Sequence, residues 1–152
     1  MKTDHMSDEI SSEIINELKK NSRISYRKLA SKLGVSTVTV IDRIKKLEKE
    51  KIITGYSVIT DPIKFGYEFM GIVQITISRG SLLETQKKIS SFSGVIGVYD
   101  VTGQYDSFVI VMCKNRGEFS NLIKKILHLP NVERTNTSVV LNVLKDPSHS
   151  LL

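Results

Sequence analysis

The 152-residue chain has one cysteine, no tryptophan, three prolines and three histidines. A lone cysteine excludes an internal disulfide framework. Cys113, within Phe108-Val109-Ile110-Val111-Met112-Cys113, reads as a small buried apolar residue. His5, His128 and His149 have no paired spacing, and the sequence holds no metal-ligand cluster, nucleotide loop or catalytic triad pattern. No cofactor or metal is expected, and the chain is not read as an enzyme. No apolar run approaches the roughly 20 residues of a membrane span. The opening Met1-Lys2-Thr3-Asp4-His5-Met6 lacks the apolar stretch of a signal peptide, so a cytoplasmic protein is expected.

What remains is an ordinary globular composition, 40% hydrophobic and 25% charged, enough for one domain or two small ones. The net charge of +6 is unevenly placed. From Lys19 to Lys51 eleven basic residues stand against Asp42, Glu48 and Glu50, a balance of +8 that leaves −2 for the rest. A cationic segment of this kind is the electrostatic footprint of phosphate contacts.

That segment also carries a helix, turn, helix pattern. Asp8 precedes Ile10, Ile14, Ile15 and Leu18, an apolar stripe with Glu9 and Glu13 near its start and Lys19 and Lys20 near its end, as the helix dipole favours. Ser25 can cap a second helix, Tyr26 to Lys32, whose Leu29, Ala30 and Leu33 face the first. Gly34 stands where a left-handed residue ends a helix. Ser36 then offers an oxygen to the free amides of a third. Val40, Ile44 and Leu47 give that third helix a buried stripe and leave a polar, mostly cationic face suited to the major groove of DNA. Ile52-Ile53-Thr54-Gly55-Tyr56-Ser57-Val58-Ile59-Thr60 is rich in β-branched residues and predicts a short strand or hairpin wing. Asp61-Pro62 breaks the run. The expected organisation is a winged helix-turn-helix over 1–56, a linker over 57–68 and a second domain over 69–152.

In that second domain the period alternates. Strands are expected at Phe69 to Ser78, Val95 to Thr102, Ser107 to Cys113 and Glu133 to Leu144, and helices at Leu82 to Phe92 and Glu118 to Leu127. Phe119, Leu122, Ile123, Ile126 and Leu127 are assigned to the inner face of the last helix. The order is βαββαβ, a four-stranded antiparallel sheet with two helices on one side and an α+β, ferredoxin-like fold. Val109-Ile110-Val111-Met112 and Val139-Val140-Leu141 put apolar side chains on both faces of such a sheet. A homodimer formed sheet to sheet is therefore expected. Between the middle strands lies Gly103-Gln104-Tyr105-Asp106, on spacing alone an ordinary hairpin turn.

Taken together, Asp8, Ile10, Leu18, Asn21, Arg23, Leu29-Ala30, Leu33-Gly34-Val35-Ser36, Val40, Arg43, Leu47 and Ile53-Thr54-Gly55-Tyr56 resemble the Lrp/AsnC family of transcription regulators. So do the connection Asp61-Pro62-Ile63-Lys64-Phe65-Gly66-Tyr67 and the turn Gly103-Gln104-Tyr105-Asp106. The resemblance runs from about Asp8 to Lys145. It implies a winged helix-turn-helix followed by an effector-sensing domain, in dimers that assemble into tetramers or octamers and bind amino acids in clefts between subunits. By position, Gly103, Tyr105 and Asp106 would contact the effector, and Thr135 and Thr137 would come from a neighbouring subunit. One residue departs from the family pattern: Lys51 stands where glycine usually follows the recognition helix.

The expected function is a sequence-specific DNA-binding regulator that responds to an amino acid. Ser36, Thr37, Thr39 and Arg43 are assigned to groove contacts, and Lys46 or Lys28 to phosphates, because arginine pairs bidentately with guanine while lysine attracts without reading sequence. Gln104, Asp106, Thr135 and Thr137 are polar with a single charge, which favours a polar neutral effector such as glutamine. The rival readings are an architectural chromatin-like protein that wraps DNA with little sequence preference, and an enzyme acting on haem precursors.

Overall fold

A computed structural model describes residues 9–145, so Asp8, His5 and His149 lie outside the described residues. The chain forms two compact units that divide between Ile59 and Thr60.

In the first unit, α1 (Glu9–Lys20), α2 (Tyr26–Leu33) and α3 (Thr37–Lys49) converge on Ile14, Leu18, Ile24, Leu29, Ala30, Val40, Ile44 and Leu47. Local chemistry sets the helix ends. Ser25 Oγ accepts from Lys28 N at 3.2 Å and Ser36 Oγ from Thr39 N at 3.0 Å, satisfying amides that the first turn leaves without partners. Gly34 takes φ 67 and donates its N–H to Ala30 O. Glu17 on α1 pairs with Lys20 and with Lys32 on α2. The Lys32 bond first, and the Lys20 bond second, hold its carboxyl below the usual range.

Two features of this unit differ from expectation or go beyond it. Residues 52–60 form no strand. A strand needs a neighbour for its ladder, and among the described residues the first unit contains no other strand, so the β-branched run remains irregular and largely exposed. The wing is replaced by a tether. Tyr56 donates to Glu48 Oε1 at 2.9 Å, and burial together with that bond pushes its hydroxyl up to about 12. Lys51, in the family's glycine position, takes the left-handed conformation itself at φ 57. Ile52 N then reaches back to Leu47 O at 2.9 Å, so α3 stops with the geometry a glycine would give.

The second unit is one four-stranded sheet with two helices against it. The strands β1 (Phe69–Ile77), β2 (Val95–Asp100), β3 (Ser107–Cys113) and β4 (Val132–Val139) lie in the order β2-β3-β1-β4, all antiparallel, with α4 (Leu82–Ser90) after β1 and α5 (Arg116–Leu127) after β3. Val73, Ile75, Ile77, Val109, Val111 and Cys113 alternate onto one face and pack with Ile89, Phe119, Leu122, Ile126 and Leu129. Gly71 is required there, because a Cβ would lie 2.6 Å from the Phe119 ring. Burial pushes the Cys113 thiol up, in keeping with an inert apolar role. The opposite face presents Met70, Ile72, Phe108, Ile110 and Met112, each half-buried.

Two expected placements are corrected. Leu127 is 46% exposed, since one residue beyond Ile126 is a turn of about 100° away from the Phe119, Leu122, Ile126 stripe. β4 ends at Val139, opposite Gly71 near the start of β1, so Val140 and Leu141 lie past the strand. The open-face side of β4 itself is polar, with Arg134, Asn136 and Ser138 opposite Thr76, Gln74 and Ile72.

The left-handed Lys51 generates a prediction. Replacing it by glycine relieves a steric cost of about 1 kcal/mol, so Lys51→Gly is expected to raise the thermal midpoint, and a lowered midpoint would contradict the strain.

Candidate nucleic-acid interface and ligand turn

The buried stripe Val40, Ile44 and Leu47 fixes how α3 is turned. Val38, Asp42, Lys45 and Lys49 lie opposite it and are exposed. Thr37 and Arg43 flank the stripe on its two sides, Thr37 exposed and Arg43 half-buried. Thr39 is half-buried and its hydroxyl lies 2.8 Å from Ser36 Oγ. The Ser36 and Thr39 hydroxyls therefore serve each other and the cap. Lys46 is exposed and faces Glu50 at 3.9 Å, a pair too exposed to neutralise it. Lys28 is exposed on α2.

The outward surface is thus cationic with one apolar residue that the sequence reading passed over. Val38, 66% exposed at the first turn of α3, has the chemistry to meet a thymine methyl. Its position opposite the Val40 stripe was the available signal.

At the far end of the sheet, the turn between β2 and β3 is fastened to β1. Gly103 takes φ 118, which a side chain would strain. Asp106 N donates to Ile75 O at 2.9 Å, its Oδ2 accepts from Ile77 N at 2.8 Å, and its backbone O accepts from Val101 N at 3.2 Å. The carboxylate thus satisfies an amide at the end of β1 that β3 no longer reaches. Ser107, fully buried, donates to Tyr99 O and accepts from Gln86 Nε2. Gln104 is exposed. Tyr105 stands edge-on to Phe108, with ring centroids 6.5 Å apart.

Thr135 and Thr137 share a face of β4, opposite Ile75 and Val73, and that is the helix-covered side of the sheet. Thr135 lies across β1 from Asp106, about 10 Å away at ordinary strand spacing. Tyr105 packs on Phe108, which belongs to the open side. Within one chain the six residues therefore gather at one end of the sheet but on different faces. Arg134, absent from the sequence reading, joins Tyr105 on the open side with its guanidinium 5.6 Å from the ring centroid.

Comparison with known proteins matches both units. Residues 8–48 fit the AsnC-type helix-turn-helix domain, and residues 70–149 fit the Lrp/AsnC ligand binding domain. The chain belongs to the Lrp/AsnC family. An uncharacterized HTH-type transcriptional regulator of Pyrococcus abyssi is 40% identical over 93% of this chain and 96% of its own length. The leucine-responsive regulatory protein of Haemophilus influenzae is 30% identical over 95% and 90%. The structure of Escherichia coli AsnC is 29% identical, with a TM-score of 0.84 over 93% of this chain and 97% of that one. An Lrp/AsnC chain built in this way is an effector-responsive DNA-binding transcription regulator, and the relatives it matches are named as transcriptional regulators.

The double role of Asp106 makes the turn testable before any ligand is known. Asp106→Ala leaves Ile77 N unpartnered and is expected to destabilise the ligand-free protein by about 1.5–3 kcal/mol, whereas Asp106→Asn keeps an acceptor and costs less. Chemical denaturation of the two variants checks this, and equal losses would contradict the assigned bond.

Proposed function

We propose that the chain is a sequence-specific regulator that binds a two-fold symmetric DNA site through α3. In this reading it works in the cytoplasm as a sheet-to-sheet dimer that assembles to a tetramer or octamer. The observation that carries this reading is the presentation of α3. It is capped by Ser36 and buried along Val40, Ile44 and Leu47, with Thr37, Val38, Lys45, Lys46 and Lys49 exposed. Arg43 and Thr37 read base edges, while Lys46 and Lys28 hold phosphates. Ser36 and Thr39 contribute by setting the helix start, and through whatever hydroxyl capacity the cap leaves over.

The half-buried Met70, Ile72, Phe108, Ile110 and Met112 support a partner subunit on the open face. Two-fold symmetry then sets half-sites about one helical turn, or a multiple of it, apart.

The effector is an amino acid held at the turn Gly103, Gln104, Tyr105 and Asp106, with Thr135 and Thr137 supplied by a neighbouring subunit. The Haemophilus relative is named for its response to leucine. Here the uncharged Gln104, Thr135 and Thr137 favour a polar neutral side chain, and glutamine fits best. A ligand shifts assembly or DNA affinity only if it binds one state better than the other, and a cleft shared between subunits supplies that difference.

Mobility shifts against the protein's own upstream DNA separate the DNA roles. Arg43→Ala is expected to relax discrimination at one base position by about 1–3 kcal/mol. Lys46→Ala is expected to weaken all sequences alike and to lower the salt slope by about 1. The opposite pattern would interchange the assignments. Thermal shifts with each of the twenty amino acids test the effector, glutamine being expected to raise the midpoint most. Twenty flat responses would refute the amino-acid reading and leave the DNA reading standing.

A further inference from the structure

We propose that Arg134 anchors the α-carboxylate of the effector, an inference that rests on the amino-acid reading of the turn. Arg134 lies on β4 in register with Thr76 of β1, so both belong to the open side of the sheet. Its guanidinium sits over the Tyr105 ring at 5.6 Å, and that ring is itself braced edge-on by Phe108. A cation–π contact of this kind draws the guanidinium to the ring without neutralising it. Among the described residues Arg134 forms no ion pair. An exposed arginine fixed on an aromatic ring beside a ligand turn is preorganised for bidentate binding of a carboxylate.

Two neighbouring polar groups complete the complement. Thr76 Oγ1 is buried and has no hydrogen-bond partner among the described residues, an unmet demand directly across from Arg134. Asp106 commits Oδ2 to Ile77 N, while Oδ1 makes no bond to a described residue. Asp106 and Arg134 therefore flank β1 from its two sides, at consecutive positions 77 and 76. An anion on one side and a cation on the other match the ammonium and carboxylate on the α-carbon of a zwitterion. A dianion such as phosphate would be repelled by Asp106, and so would an acidic side chain presented to the same cation. With both charges used on the α-carbon, the uncharged Gln104 is left to read the side chain.

The test is calorimetric titration of the full chain with the twenty amino acids, followed by the α-carboxamide of each one that binds, L-glutamine and its α-carboxamide first. Wild type is expected to bind the acid about 10- to 100-fold more tightly than the amide, the range of a charge-assisted bidentate pair. Arg134→Gln is expected to bind acid and amide alike, with Arg134→Lys between. Wild type that fails to distinguish acid from amide would overturn the Arg134 assignment, as would Arg134→Gln with undiminished affinity for the acid. If none of the twenty binds wild type, the amino-acid reading falls and this proposal falls with it. The ligand-free unfolding midpoint of Arg134→Gln reports whether that variant folds. If it does not, the acid and amide comparison on wild type decides alone.

Discussion

The second unit hangs on the hydrogen-bonding demand of one strand. β1 is the central partner of β3 on one side and β4 on the other, so both rows of its backbone groups must be met along nine residues. β3 meets them from Phe69 to Ile75, and the Asp106 side chain meets the amide of Ile77 beyond its end. This is why the turn cannot wander. It is stitched to β1 by a carboxylate and by its own backbone, and every side chain it displays inherits the position of the strand. Strand alternation then decides which side each residue serves, with Val73, Ile75 and Ile77 under the helices and Ile72, Gln74 and Thr76 on the other side.

In the first unit the equivalent constraint is the pair of serine caps. Ser25 and Ser36 each occupy an extended conformation and each accept from an amide three residues on. Gly34 between them turns the chain so that α3 leaves at a fixed angle to α2. Neither cap uses a basic side chain. The charge of the segment and the orientation of the helix arise from different side chains, so attraction to a polyanion and presentation of a reading surface are physically separable.

Much of this was legible in the sequence because it is local. Gly34, Ser25 and Ser36 act within a few residues, and the period of Val40, Ile44 and Leu47 is written along one helix. The limits of β3 could be read directly, since Ser107 to Cys113 alternates and is bounded by a turn. What escaped was non-local. Residues 52–60 have strand composition, but a strand exists only with a neighbour, and composition says nothing of whether one is present. The end of β4 is set by where β1 begins, and the meeting of Arg134 with Tyr105 is set by the register of β4 on β1. Neither is encoded near the residue concerned. Leu127 was misplaced for a simpler reason, an apolar residue counted into a stripe that the helical period had already left.

The fastening of the turn has a further consequence for how such a regulator can diversify. Gly103, Asp106 and Ser107 are bound to the architecture by backbone strain, a bond to Ile77 and burial, so exchanging them disturbs folding. The Gln104 and Arg134 side chains are exposed and, among the described residues, make no hydrogen bond or ion pair on which the sheet depends. Changes at these two side chains can therefore remodel the surface at this end of the sheet while the scaffold beneath it stays unchanged.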